Sequence, residues 1–99
     1  MAGFVQIIQY KTSKFDEMQK VVDKWREATE GKRTAARVTT CKDRDNPNQY
    51  MVVAEFPSYE AAMKNNDLSE TQSFSTEMMG YADGPPTFYN LDVERVEQD

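Results

Sequence analysis

The segment QYMVVAEF, Gln49 to Phe56, is an apolar run that halts at Pro57, and this boundary constrains the fold more than any other feature. Proline has no backbone N–H for a ladder, so an interior strand ends there. Just before the run stands DRDNPN, Asp43 to Asn48, dense in turn-forming residues. Before that, RTAARVTTCK, Arg33 to Lys42, is a second stretch of strand character. So short a loop joins two strands as an antiparallel hairpin. The apolar pattern favours a register with Arg37 opposite Glu55, Val38 opposite Ala54 and Thr40 opposite Val52. One side then carries Ala36, Val38, Tyr50, Val52, Ala54 and Phe56, and suits helices. The other carries Arg37, Thr39, Cys41, Met51, Val53 and Glu55. A slip of one residue would break this partition.

The flanks repeat a simple order. FVQIIQYK, Phe4 to Lys11, reads as a first strand. Ser13 then offers an N-cap, with Asp16 completing an approximate capping box. Phe15, Met18, Val21, Val22 and Trp25 recur at helical steps, and Gly31 closes the helix. After Pro57, Ser58 caps a short helix that runs to about Asn65. Ser69 with Gln72 makes a capping box for another helical piece, with Phe74, Met78 and Tyr81 on one face. DGPP, Asp83 to Pro86, breaks the chain, and TFYNLDVERV, Thr87 to Val96, reads as the fourth strand before a fraying acidic tail. The order is β-α-β-β-α-β, with the second helix broken near NNDLS. It predicts an α+β, ferredoxin-like fold over residues 1–99, a single domain whose four-stranded antiparallel sheet has both helices on one face.

Composition excludes several functions. The chain has 99 residues and a net charge of −5, which disfavours nucleic acid and anionic membranes as partners. Mean hydropathy is −0.81, yet the 11% aromatic share supplies a core and argues against disorder. Cys41 is the single cysteine, so no disulfide forms within the chain. The start, MAGFVQIIQYK, lacks the charge and apolar length of a signal peptide, and no run reaches the roughly 18–20 residues of a membrane span. A cytoplasmic domain is expected. With no histidine in the sequence, a Ser-His-Asp or Cys-His system is impossible, as is a histidine-based zinc or iron site. Neither cofactor nor metal is expected.

Helices packed on one side leave the other side of the sheet bare. There Met51, Val53 and Phe88 are too apolar for a purely solvated surface, and such patches mark binding surfaces. A second copy packing face to face would cover them, so a homodimer is expected.

The length, the β-α-β-β-α-β order, and VVAEFPSYEAAMKN followed by a helical piece bearing Phe74 resemble the dimeric α/β-barrel superfamily. Within it, the chain looks like the antibiotic-biosynthesis-monooxygenase group. The resemblance implies two sheets meeting in a barrel, dimerising the chain, and a pocket between sheet and helices in each subunit. It also implies cofactor-independent oxidation of polycyclic phenols as one activity of the group. The haem-degrading branch carries an asparagine on the first strand, a tryptophan on the second helix and a histidine one helical segment later. This chain has Gln6 and Gln9 on that strand, Asn65 near the tryptophan position and Ser75 near the histidine position. Haem degradation is therefore set aside.

Candidate ligand-binding residues are Arg37, Glu55, Tyr10, Gln6 and Asn65; no catalytic residue is assigned. Arg37 could clamp a phenolate oxygen with Glu55 orienting it, or the two could form an ordinary cross-strand ion pair. Tyr10 shares a strand face with Gln6 and Ile8, and its hydroxyl could meet a quinol. Asn65 could donate to a ligand carbonyl or simply end a helix. Trp25 and the group Met63, Met78 and Met79 could line a cavity or fill a core. Two functions stay open. One is a monooxygenase-like enzyme acting on a small aromatic or polyketide-like molecule. The other is a non-catalytic homodimeric module that binds a small apolar ligand or a partner protein.

Overall fold

The hairpin forms in the register that its apolar pattern favours. In the computed structural model, which describes residues 3–98, β2 (Arg37–Lys42) pairs antiparallel with β3 (Gln49–Phe56). Arg37 stands opposite Glu55, Val38 opposite Ala54 and Thr40 opposite Val52. The turn is organised by Asp43, whose carboxylate accepts from the backbone N–H of Asp45 at 2.8 Å and of Asn46 at 3.2 Å. It also accepts from the side-chain amides of Asn46 and Gln49. These donors, the Asn46 side chain first among them, hold the Asp43 pKa below the ordinary carboxylate value. Asn48 closes the turn at φ 65°, a left-handed conformation that asparagine tolerates.

β2 starts at Arg37, later than the expected Arg33. The Ala36 N–H still donates to the Glu55 carbonyl at 2.7 Å, but Pro57 then carries the partner strand out of the sheet. Thr34 turns instead toward α2, donating its hydroxyl to the Ala61 carbonyl. The fourth strand, β4 (Thr87–Asp92), likewise stops short of Val96. Its last partner is Phe4, the first residue of β1 (Phe4–Lys11), so it runs out of ladder. The sheet order is β2-β3-β1-β4, with every neighbouring pair antiparallel.

The helices are α1 (Phe15–Ala28), α2 (Tyr59–Asp67) and α3 (Ser69–Met79). Ser58 caps α2 as expected, its hydroxyl oxygen accepting from the Ala61 N–H at 3.1 Å. Ser13 does not cap α1. The fully buried Thr12 takes over the junction, accepting from the Lys14 N–H at 2.9 Å and donating to the Tyr81 carbonyl at 2.6 Å. Ser69 does not cap α3 either, because α2 continues to Asp67 and leaves only the extended Leu68 between the helices. The Leu68 carbonyl receives the N–H groups of Thr71 and Gln72.

All helices lie on one side of the sheet. Ala62 of α2 packs with Phe4, Ala54 and Phe56. Met18 of α1 packs with Tyr10 and Tyr50, joined at the edge by Ile8, Val52, Phe15 and Met78. The pairing of β1 with β3 sorts these residues into rows: Phe4 with Phe56, Gln6 with Ala54, Ile8 with Val52, Tyr10 with Tyr50. The end rows are aromatic, with ring centroids 6.4 Å and 5.7 Å apart, and the two rows between them are built from smaller or unbranched groups. Phe15 lies on Tyr50 with centroids 4.3 Å apart and planes 9° from parallel, so α1 rests directly on one aromatic row.

The helices roof the two central strands and leave the outer ones open. Val38, on the helix side of β2, is 45% exposed, and Ala36 is exposed just before the strand. Phe88 does not belong to the bare face where the sequence pattern placed it. It stands opposite Ile8, on the helix side, and is 54% exposed. Tyr89 and Leu91 occupy the bare face in its place, beside Ile7 and Val5.

Phe56 is 2% exposed at one end of the β1–β3 pair, and its loss would leave a cavity under α2. Phe56→Ala is expected to lower stability by about 3–5 kcal/mol in urea unfolding. Val38→Ala, on the same side but unroofed, is expected to change it by less than about 0.5 kcal/mol. Similar losses at both positions would contradict this account of the core.

Candidate functional site

Between the two aromatic rows the helix side of the sheet holds a polar and apolar middle. Its rows read Val38, Ala54, Gln6, Asn90 and then Thr40, Val52, Ile8, Phe88. None of these side chains is ionisable. The Gln6 amide donates to the Asn90 carbonyl oxygen at 3.1 Å across the β1–β4 pair.

Asn65 faces the sheet from α2. Ala62, four residues into the helix, touches Phe4, Ala54 and Phe56, so α2 turns back over the sheet after Pro57. Asn65 is one turn further along the same face and is 7% exposed. Its Oδ1 is buried with no hydrogen-bond partner among the described residues. Leaving such an acceptor unpaired costs about 1–3 kcal/mol, and buried polar groups rarely go unpaired. This makes Asn65 the most unusual side chain of the helix side.

Tyr10 closes one end of this region. It is 7% exposed and stacked on Tyr50, with 20° between the rings. Burial first, and the neighbouring Tyr50 second, push its pKa up to about 12. Its phenol is neutral at ordinary pH. Its ring, with that of Tyr50, forms the end row of the helix side.

Arg37 and Glu55 fall elsewhere. They face each other on the bare side of the sheet, with Arg37 Nε 3.6 Å from Glu55 Oε2. The Arg37 side chain is 76% exposed, and an ion pair of this kind is worth about 0–1 kcal/mol. Thus Gln6, Tyr10 and Asn65 share one side of the sheet, and Arg37 and Glu55 share the other. The sequence does not single out Asn90; its amide opposite that of Gln6 becomes visible only once β4 is in register.

A separate open groove of about 240 Å³ runs along the seam of α1 and α3, lined by Val21, Trp25, Ala28, Ser73 and Phe74 among others. Trp25 is half-buried there. Its Nε1–H donates to the Thr71 hydroxyl at 3.0 Å, and its ring lies 5.2 Å from that of Phe74. Trp25 therefore fastens α3 to α1 and lines the groove as well. Ion pairs from Lys24 to Glu77 at 3.1 Å and from Lys32 to Glu70 at 2.5 Å bridge the same two regions. The groove is smaller than the roughly 300–1,000 Å³ usual for ligand sites. Among the described residues no group of His, Cys, Asp and Glu is arranged to hold a metal ion, and no helix is long and apolar enough to cross a membrane.

With this geometry in place, solved structures of the same shape can be compared. The chain superposes on SnoaB, a cofactor-independent oxygenase from Streptomyces nogalater solved as an asparagine-to-alanine variant, with TM-score 0.83 and 11% identity over 100% of both chains. An antibiotic biosynthesis monooxygenase matches with TM-score 0.74 and 13% identity over 93% of this chain and 99% of that one. A conserved protein from Methanosarcina mazei Go1 matches with TM-score 0.82 and 9% identity over 95% of each chain. No family model matches the sequence, and no curated protein matches it. The fold is the α+β, ferredoxin-like fold of the antibiotic-biosynthesis-monooxygenase-like proteins.

The Tyr10 environment has a consequence for stability. Its pKa is 10.0 in an ordinary setting and about 12 here, so the folded state keeps a proton that the unfolded chain gives up. Its stabilising share is whole below pH 10.0 and is lost as pH rises through about 12. Tyr10→Phe is expected to make alkaline loss of stability shallower in that window. Equally steep losses in both proteins, followed by denaturant titration at each pH, would refute the assignment.

Proposed function

We propose that this protein is a homodimeric, cofactor-independent oxygenase of a small aromatic or polyketide-like molecule, bound on the helix side of its sheet. The observation that carries the reading is the buried, unpartnered Oδ1 of Asn65 in this fold. A buried acceptor without a partner in the protein is ready for a ligand hydroxyl. A further support is that SnoaB, of the same fold, is a cofactor-independent oxygenase.

The chemistry needs little from the protein. An electron-rich phenol or enol gives a proton to solvent water, to be recovered in the water formed later, and its anion donates electrons to dioxygen. One oxygen atom then enters a ring methylene as a carbonyl, and the other leaves as water: a CH2 group and O2 give C=O and H2O. Asn65 would hold the ligand hydroxyl, Gln6 would anchor the far edge, and Tyr10 would shut the end against water. Arg37 and Glu55 are given to the dimer contact rather than to the ligand.

One observation favours the alternative, a non-catalytic module that binds a small apolar ligand. The two middle rows hold no charged side chain, so no carboxylate or ammonium stands ready there to take the first proton. The two readings separate in an oxygen electrode. Oxygen uptake is expected with at least one member of a panel of hydroquinones and anthrones, and Asn65→Ala, which removes a positioning acceptor, should lower kcat roughly 10- to 100-fold. Ligand binding with no uptake across the panel would leave the binding module.

The homodimer rests on the bare face. Its central strands carry Val5, Ile7, Met51 and Val53 half-buried, while Tyr89 and Leu91 on the edge strand are 43% and 45% exposed. A second copy laid on this face would cover them all. Light scattering is expected to give twice the chain mass, and Val53→Arg, which places a charge at the centre of the face, should give the chain mass. A monomeric parent protein would remove the dimer from this proposal.

A further inference from the structure

We infer that Gln6 and Asn90 form a donor–acceptor clamp for a flat ring ligand whose edge carries an N–H or O–H beside a carbonyl. The inference deepens the reading above, since it rests on the helix side being the ligand side, and it assigns a recognition residue, Asn90, and a class of ligand edge.

Each primary amide offers two N–H donors and a carbonyl oxygen with two lone pairs. The bond from Gln6 Nε2 to Asn90 Oδ1 at 3.1 Å satisfies one donor and part of one acceptor. The Gln6 Oε1 and the Asn90 Nδ2 remain free of each other, because one bond and not two joins the amides. Turning both amides over exchanges the roles and leaves the same remainder, one donor and one acceptor side by side. The clamp therefore does not depend on which way each amide is assigned.

The surroundings supply the rest. The adjoining row on the same side is Ile8 with Phe88, two residues along each strand. Ile8 is half-buried against the Tyr10 cluster, and Phe88 is 54% exposed because no helix roofs β4. Together they make an apolar shelf next to the amides. A flat ring lying on this shelf would turn its edge to Gln6 and Asn90, giving an acceptor to the Asn90 amide and a donor to the Gln6 carbonyl. Its other end would extend toward α2, where Asn65 keeps an unpaired Oδ1. A lone donor or a lone acceptor on the ring edge would fill half of the clamp, leave the other half to water and forgo one hydrogen bond.

The test uses the full chain and two ring compounds of the same shape. Carbostyril is a lactam with N–H beside C=O, and coumarin is its lactone counterpart with no donor. Titration calorimetry should show the lactam bound roughly threefold to tenfold more tightly than the lactone. Gln6→Leu removes the carbonyl that meets the lactam N–H and should bring the preference to near unity through loss of lactam affinity. Asn90→Leu removes the donor to the carbonyl that both compounds carry and should weaken both while keeping the preference; Asn90→Gln, which keeps an amide, should restore most of both affinities. The reverse pattern would support the clamp with both amides turned over. Asn90 is exposed, so the fold is expected to survive replacement, and an unchanged circular dichroism spectrum reports this. Equal affinity for the two compounds in the parent protein would overturn the clamp, as would a preference that outlasts both leucine variants or no binding of either compound. Lactam preference without oxygen uptake on any phenol would sink the oxygenase and leave the clamp standing. Uptake that depends on Asn65, with no lactam preference, would do the reverse.

Discussion

The molecule depends on one arrangement, the pairing of β1 with β3 that brings Phe4 against Phe56 at one end and Tyr10 against Tyr50 at the other. Aromatic side chains are tall and bury large areas, so the helices settle on these two rows. Ala62 of α2 sits on the first, and Phe15 and Met18 of α1 sit on the second. Of the rows between, Ala54 is buried under Ala62, and Ile8 and Val52 flank the Tyr10 cluster. Helix position is thus fixed mainly at the two ends of the strands, while Asn90 and Phe88 on the outer strand stay clear of the helices. Every residue given a ligand role above lies in, beside or over the middle rows.

The same arrangement explains why the helices are unevenly attached. α2 and α1 touch the aromatic rows directly, whereas α3 has no fully buried residue of its own. α3 is held by Met78 at the edge of the Tyr10 cluster, by the Trp25–Thr71 hydrogen bond, and by two surface ion pairs. Exposed ion pairs contribute little, so the indole and its contact with Phe74 carry most of the attachment. Trp25 recurs in the apolar stripe of α1 as its sequence spacing implies, but at the rim of that stripe rather than in the core.

Much of the fold could be read from the sequence, and the reasons are local. Pro57 ends β3, Asp43 and its neighbours make the turn, and alternation along Gln49 to Phe56 fixes which residues face the helices. Each of these signals is short-range. Where the reading slipped, the deciding partner was distant in sequence. The limits of β2 and β4 depend on where β3 and β1 run out. The cap at Ser13 is displaced by Thr12, whose hydroxyl is engaged by Tyr81 across the chain. Phe88 was put on the wrong side because β4 is an edge strand with apolar residues on both faces, so its own pattern does not specify register. The site was less legible still. Gln6, Tyr10 and Asn65 could be named as candidates, but nothing in the sequence separates them from Arg37 and Glu55 across the sheet. The pairing of Gln6 with Asn90 depends on strands at opposite ends of the chain.

A scaffold carried on two fixed supports also bears on how such proteins diversify. Substitutions at exposed positions of the outer strands, such as Phe88 and Asn90, change the surface offered to a visiting molecule without touching the rows on which the helices rest. Tailoring and architecture are then separable problems, each open to change on its own. A chain only 9% identical keeps this shape, so the outline survives replacement of most of the side chains that fill it.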